Sequence, residues 1–469
     1  MLGKILKKEY LVLLAGIAGV FHTVLCLLFY FMDTSVLQII DYVLVGSAFA
    51  MAIVFFAYRK YPLTLRWDQA LLVMYFAWYI ISCLSMTVTN GRDWTSYNMQ
   101  ALYDVAVSFF LLFPLGYYLA RYPIPSVFRW IIHILLLGWS VFMLFVLLNV
   151  FQGNVIPTLN GGYIVLRDQR ALQLNCNSNT TGAWEIIFFL GCFFMLLYSR
   201  NPLLKILYAI SSIINYFVLS LSNSRTSIVS ALIGFSLVIG LFIYSHSKRK
   251  KTVRLLAACI GAIISGVLFY VLRSFAFTLV KAAGSAEQAA VDSVGTAGAA
   301  GASAARSLFD ASTATLSHRT EIWNYVIQGI TGSFQRFLFG VTPASVVSLI
   351  SSLSNGTISM YTHNQFLEIT VATGVVGLFF FCWWLATVLK NSHQLVFVRK
   401  VQSHFLCVPI LILVLIVSNM TEAILLYYQY LNGCVFFVLC GFLSGLVFDP
   451  EKSKTVSLDK LRRIRFPRS

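Results

Sequence analysis

Three short stretches of this sequence carry side chains suited to a phosphorylated substrate. Arg225 stands in Ser222-Asn223-Ser224-Arg225-Thr226, where small hydroxyl and amide groups surround a planar guanidinium whose five N–H donors match phosphate oxygens. Arg319 stands in Ser317-His318-Arg319-Thr320-Glu321-Ile322-Trp323. His363 stands in Tyr361-Thr362-His363-Asn364-Gln365-Phe366-Leu367-Glu368, and imidazole is the side chain best suited to accept a proton near neutral pH. Each residue also has a plainer reading: Arg225 as a snorkelling helix-end arginine, Arg319 as a surface partner of Glu321, and His363 as hydrogen-bonded structure. Asn364 and Glu368 are expected to bind substrate beside the histidine, Glu368 by pairing with an arginine. Metal ligation finds no support, since the chain has no Asp-x-Asp, no Cys-x-x-Cys and no Cys/His cluster at ligand spacing.

The elements that must position these residues are membrane helices. Of 469 residues, 59% are hydrophobic and 11% charged, and the mean hydropathy is +0.80. Charged residues make up about a quarter of a soluble domain, so the excess apolar surface here must face lipid. A helix needs roughly 20 apolar residues to cross the hydrocarbon core. That length predicts twelve spans, near residues 11–31, 36–57, 69–89, 101–120, 127–150, 182–199, 203–221, 226–245, 254–274, 365–389, 405–419 and 431–448. The first span follows Lys4, Lys7 and Lys8 and lacks a clear cleavage site, so it reads as a retained helix. With both ends in the cytoplasm, the predicted cytoplasmic segments and helix ends hold 25 of the 34 Lys and Arg, leaving 9 on the other side. This follows the positive-inside rule, so the net charge of +17 orients the chain toward anionic lipid and does not point to nucleic acid.

The expected organisation is an all-α, polytopic single domain over 1–469, with a basic cytoplasmic tail at 449–469 and a large extracytoplasmic loop at 275–364. Within that loop, residues 282–315 are dominated by Ala, Gly, Ser and Thr and read as a tether or a mobile lid. After it, Ser317–Phe339 reads as an amphipathic helix carrying Ile322, Trp323, Val326, Ile327 and Ile330. A shorter outer segment, Phe151–Thr181, is rich in Asn and Gly. Of the nine cysteines, eight fall within predicted spans and only Cys176 lies in an outer loop, so no extracellular disulfide is expected. Asp41 and Asp104 are expensive in lipid and must face the bundle, as structural hydrogen-bonding groups or as acceptor ligands. His22 and His133, inside spans, are read as structural.

The run His363-Asn364, nine residues, Gly374-Val375-Val376-Gly377 resembles the signature of the O-antigen ligase family. The family is similar in its roughly twelve helices, cytoplasmic ends and a large outer loop between the ninth and tenth helices that ends at this histidine. Arg319 followed by Trp323 looks like the family's loop arginine, and Arg225 like the one after the seventh helix. Val229 stands where the family often has Leu. The resemblance covers roughly residues 180 to 390. It implies a metal-independent, inverting glycosyltransferase in the bacterial cytoplasmic (inner) membrane, with its active site on the extracytoplasmic side and no cofactor. The implied partners are an undecaprenyl diphosphate-linked glycan donor, a glycan or lipid-glycan acceptor and membrane lipids. The catalytic residues would be His363, Arg319 and Arg225, the arginines also binding substrate. A repeat-unit polymerase of the same superfamily and a non-enzymatic transporter of lipid-linked sugars remain alternatives.

Overall fold

The computed structural model describes residues 8–57, 67–90, 95–121, 126–152, 154–167, 171–247, 250–292, 319–398, 403–427 and 430–447. The expected basic tail and most of the Ala/Gly/Ser-rich tether lie outside these residues. In chain order the helices are α1 (Lys8–Leu28), α2 (Ser35–Ala57), α3 (Trp67–Asn90), α4 (Ser96–Arg121), α5 (Ser126–Phe151), α6 (Ser178–Tyr198), α7 (Pro202–Leu221), α8 (Arg225–His246) and α9 (Lys251–Asp292). Three short helices follow: α10 (Arg319–Thr331), α11 (Phe334–Phe339) and α12 (Val346–Leu353). The series closes with α13 (Gln365–His393), α14 (Cys407–Ser418) and α15 (Leu431–Val447).

Among the described residues, nine helices are long and apolar enough to cross a membrane, and the protein is a mostly helical, multi-pass membrane protein. The predicted spans at 11–31 and 431–448 coincide with the apolar helices α1 and α15, next to residues outside the described ones, and the span at 405–419 with the shorter α14. At 1.5 Å per residue the 12-residue α14 is only about 18 Å long, too short to cross by itself. Large apolar side chains such as Ile263, Ile264 and Val267 of α9 stay exposed, as lipid-facing residues do. Inward faces pair α3 with α13, α6 with α7, α8 with α9, and α15 with the second half of α4. Helix α4 relaxes into a π-helical turn at Ser108–Leu112, just before Pro114, whose missing N–H cannot sustain the α-helical ladder. The outer segment read as a loop holds a small antiparallel sheet, β1 (Ile156–Pro157), β2 (Tyr163–Arg167) and β3 (Ala171–Leu174), in the order β1-β2-β3.

Two departures from regular helix shape the region around His363. The predicted helix Ser317–Phe339 is split, because the chain breaks after Thr331 and restarts with Ser333 capping α11. Ile322, Val326 and Ile330 are buried against Val346, Ile350 and Val371, whereas Ile327 faces outward. The end of α11 then runs close against α13, where Val341 N donates to Val371 O (2.7 Å) and Thr342 N to Ala372 O (3.1 Å). Gly340 (φ 74°) and Gly374 (φ 71°) make this approach possible. A Cβ on Gly374 would collide with the Leu338 carbonyl, so this signature glycine supplies both the backbone sign and the room.

Between α14 and α15, residues 422–427 are buried but not helical. Asn419 Oδ1 accepts from Ile424 N (3.0 Å), and Gln365 Oε1 accepts from Leu425 N (2.9 Å) and Leu426 N (3.4 Å). Side-chain amides thus replace the missing helical acceptors, which buried peptide groups require.

Candidate functional site

Two of the three chemically suited residues, Arg319 and His363, are organised around a fourth, Glu422, in that irregular segment. Its carboxylate is fully buried. Arg319, the first residue of α10, donates from Nη2 to Glu422 Oε1 at 2.5 Å, and His363 Nδ1 lies 3.2 Å from Glu422 Oε2. The Tyr361 hydroxyl donates to the same Oε2 at 3.3 Å, and its ring packs on the imidazole with centroids 4.1 Å apart. A buried carboxylate needs such partners, because an unpaired charge in an apolar bundle is strongly unfavourable. The side chains of Arg319 and His363 keep 12% and 15% of their surface exposed against 1% for Glu422, so the acid is buried behind two partly exposed basic groups. Burial and the Glu422 charge hold the Tyr361 phenol well above its usual range, and it remains a donor.

If Nδ1 of His363 carries the proton given to Glu422, Nε2 presents its lone pair, which is the orientation a general base requires. The residues around the histidine enforce its placement. His363 adopts φ 51°, an uncommon conformation for a residue with a Cβ. Asn364 caps α13, its Oδ1 accepting from Phe366 N (2.9 Å) and Leu367 N (3.1 Å), while its Nδ2 donates to Met420 O (2.9 Å). Glu368 is buried and accepts from Thr362 N (3.1 Å) and Thr362 Oγ1 (2.8 Å). Expected to bind substrate, both side chains are engaged in shaping the turn that carries His363, and the carboxylate paired with Arg319 is Glu422. Trp323 Nε1 donates to Thr362 O (3.0 Å), which ties α10 to the same turn.

Arg225 opens α8. Its neighbours Ser222 and Ser224 are buried and occupied locally, Ser222 Oγ donating to Leu219 O (2.7 Å) and Ser224 Oγ to Ser227 Oγ (2.9 Å). The next residue, Thr226, shares a hydrogen bond of 2.5 Å with Thr421, the residue before Glu422. Arg225 and Glu422 therefore flank a single contact between α8 and the irregular segment. Arg273 of α9 joins this corner, donating from Nη2 to Asn223 Oδ1 (3.2 Å) within electrostatic reach of Arg225.

Sequence reasoning missed Glu422 and Arg273. Both stand at the ends of apolar runs, where a lone charge looks like a boundary marker, and only the fold reveals their partners. No curated protein matches the chain. A family model described as O-antigen ligase matches residues 210–382, a stretch that includes Arg225, Arg319, His363 and Gly374 but stops short of Glu422. That match supports assigning this multi-pass membrane protein to the O-antigen ligase family.

Proposed function

We propose that this chain transfers a glycan from undecaprenyl diphosphate to an acceptor hydroxyl at the extracytoplasmic face of the bacterial cytoplasmic membrane. The observation that carries the reading is the shared carboxylate: Glu422 engages both Arg319 and His363, and the Thr226–Thr421 contact attaches Arg225 to the same segment. Family membership supports a glycosyltransferase of surface polysaccharide assembly. The finer assignments of donor, membrane face and residue roles are ours. In this reading 275–364 is the extracytoplasmic loop of a single domain spanning 1–469.

The acceptor hydroxyl binds beside His363 Nε2. Its oxygen attacks the anomeric carbon as the bond from that carbon to the phosphate oxygen breaks, and its proton passes to Nε2. Glu422 stabilises the resulting imidazolium, as a carboxylate does for a histidine base. Negative charge develops on the departing diphosphate, where Arg319 and Arg225 meet it without a metal. The Arg319 ion pair uses one of five N–H donors and fixes the guanidinium in place. Backside displacement inverts the anomeric centre. The diphosphate leaving group supplies the driving force, so neither a nucleotide nor a cofactor enters.

Reconstitution into vesicles with an undecaprenyl diphosphate-linked repeat unit tests this. Transfer that requires an added acceptor is the expected result. Chain lengthening in the absence of any acceptor would make the protein a polymerase. Movement of the lipid-linked sugar across the bilayer with no new glycosidic bond would remove the enzymatic reading altogether.

A further inference from the structure

A second polar cluster lies inside the bundle, away from the charged corner. His22 and Cys26 are four residues apart on α1 and so share one face, and Cys434 reaches them from α15, 408 residues beyond Cys26. The ligand atoms of the three side chains lie within 4.8 Å of one another, and their exposures are 2%, 1% and 4%. The two sulfurs, both free thiols, are 3.7 Å apart. Two thiolates each about 2.3 Å from one tetrahedral zinc ion stand about 3.8 Å apart, so they need almost no adjustment to chelate one.

The surroundings fit the same purpose. His22 Nδ1 is bonded to Asp41 Oδ2 at 2.8 Å, which leaves Nε2 toward Cys434. Tyr103 donates to that carboxylate oxygen at 2.7 Å. A carboxylate behind the non-ligating nitrogen is the usual second layer of a metal-bound histidine, fixing its tautomer and ring direction. Asp41 Oδ1 is buried and has no hydrogen-bond partner among the described residues, and the fourth position of a tetrahedral zinc falls to a bound water. Two thiolates neutralise one divalent cation, and the charge of the Asp41 carboxylate is met by the hydrogen bonds from His22 and Tyr103.

We propose that His22, Cys26 and Cys434 form a buried structural zinc site, held by Asp41, that fastens α1 to α15. Binding releases two protons, one from each thiol, and requires no oxidant. Sequence spacing gave no sign of such a site, because ligands so far apart in the chain have no spacing to recognise. It does not depend on the glycosyltransferase reading, and its position inside the bundle gives it no contact with a reacting sugar.

The test uses the full chain purified in detergent without chelator or metal-affinity steps. Mass spectrometry of metals should find about one zinc per chain, the content of a single site with two thiolate ligands. Cys26→Ser and Cys434→Ser should each lower that content at least about tenfold, while Cys440→Ser, a buried cysteine elsewhere on α15, should retain it. Cobalt exchanged into the wild type should show thiolate-to-metal charge transfer and intense tetrahedral d–d absorption. Three results would each overturn the proposal: wild-type protein with no zinc that takes up neither zinc nor cobalt, zinc content unchanged in both ligand variants, or recovery of Cys26 and Cys434 as a disulfide. Should the serine variants fail to fold, metal content and the cobalt spectrum of the wild type still decide.

Discussion

Glu422 and Asp41 are both fully buried carboxylates, each bonded to a histidine and a tyrosine, yet their surroundings differ. Around Glu422 the partners keep some exposure, and one is a guanidinium. Around Asp41 the histidine side chain is 3% exposed and its other neighbours are thiols. In the proposed readings the same Glu/Asp–His–Tyr vocabulary would build a proton-handling group where the histidine is partly exposed and a rigid fastening where it is buried. What separates them is access and the third partner, not the carboxylate.

The largest expected effects break the first cluster. His363→Ala should lower glycan transfer by about 10²- to 10⁴-fold, the range of a lost general base. Glu422→Gln, which keeps shape but removes charge, should fall in the same direction, whereas Asp41→Asn should register chiefly as lost thermal stability. Equal turnover losses in the two carboxylate variants, measured per folded molecule, would erase the distinction. Next, Arg319→Ala and Arg225→Ala should each reduce transfer by about 10²- to 10³-fold. Arg319→Lys should not restore activity, because an ammonium cannot hold Glu422 and a diphosphate with one planar fork. Full rescue by lysine would mean that only charge matters there.

Smaller effects sharpen the comparison by probing the scaffold. Gly374→Ala forces a Cβ onto the Leu338 carbonyl at a positive φ and should destabilise by about 1–3 kcal/mol, read from thermal unfolding in detergent. Asn364→Ala removes the cap of α13 and should cost about 1 kcal/mol, with turnover falling because the His363 turn loosens. A kinetic change with no loss of stability would instead place Asn364 against substrate. Last, Tyr361→Phe should change transfer only a few-fold, since Glu422 keeps two stronger donors. Because its phenol is held above its usual range, it keeps its proton well into alkaline solution, and the alkaline limb of the activity profile should not move in the Phe variant.

Much of this was readable in the chain. Apolar runs and the Lys/Arg asymmetry predict a multi-pass helical protein because lipid imposes one rule on every segment. Arg319 and His363 were recognisable because each breaks an otherwise apolar or neutral context with chemistry that is expensive to keep. What stayed hidden depends on distance along the chain. Glu422 is 59 residues from His363 and 103 from Arg319, and Cys434 is 408 from Cys26. The split between α10 and α11 was hidden for another reason: apolar spacing reports a face, and a break that leaves the face intact leaves no trace in it.

The irregular segment that holds Glu422 also fixes when the site can come into being. Gln365 N donates to Asn419 O, and the Gln365 side chain accepts from amides 60 and 61 residues further along. Neither partner can settle alone, so the segment gains its shape only after α13 is in place and α14 has followed it. A chain halted after α13 would insert its earlier helices, Arg319 and His363 included, and yet lack the carboxylate that holds both. Catalytic competence would thus appear in one late step of assembly, and an inert precursor would persist in the membrane until then.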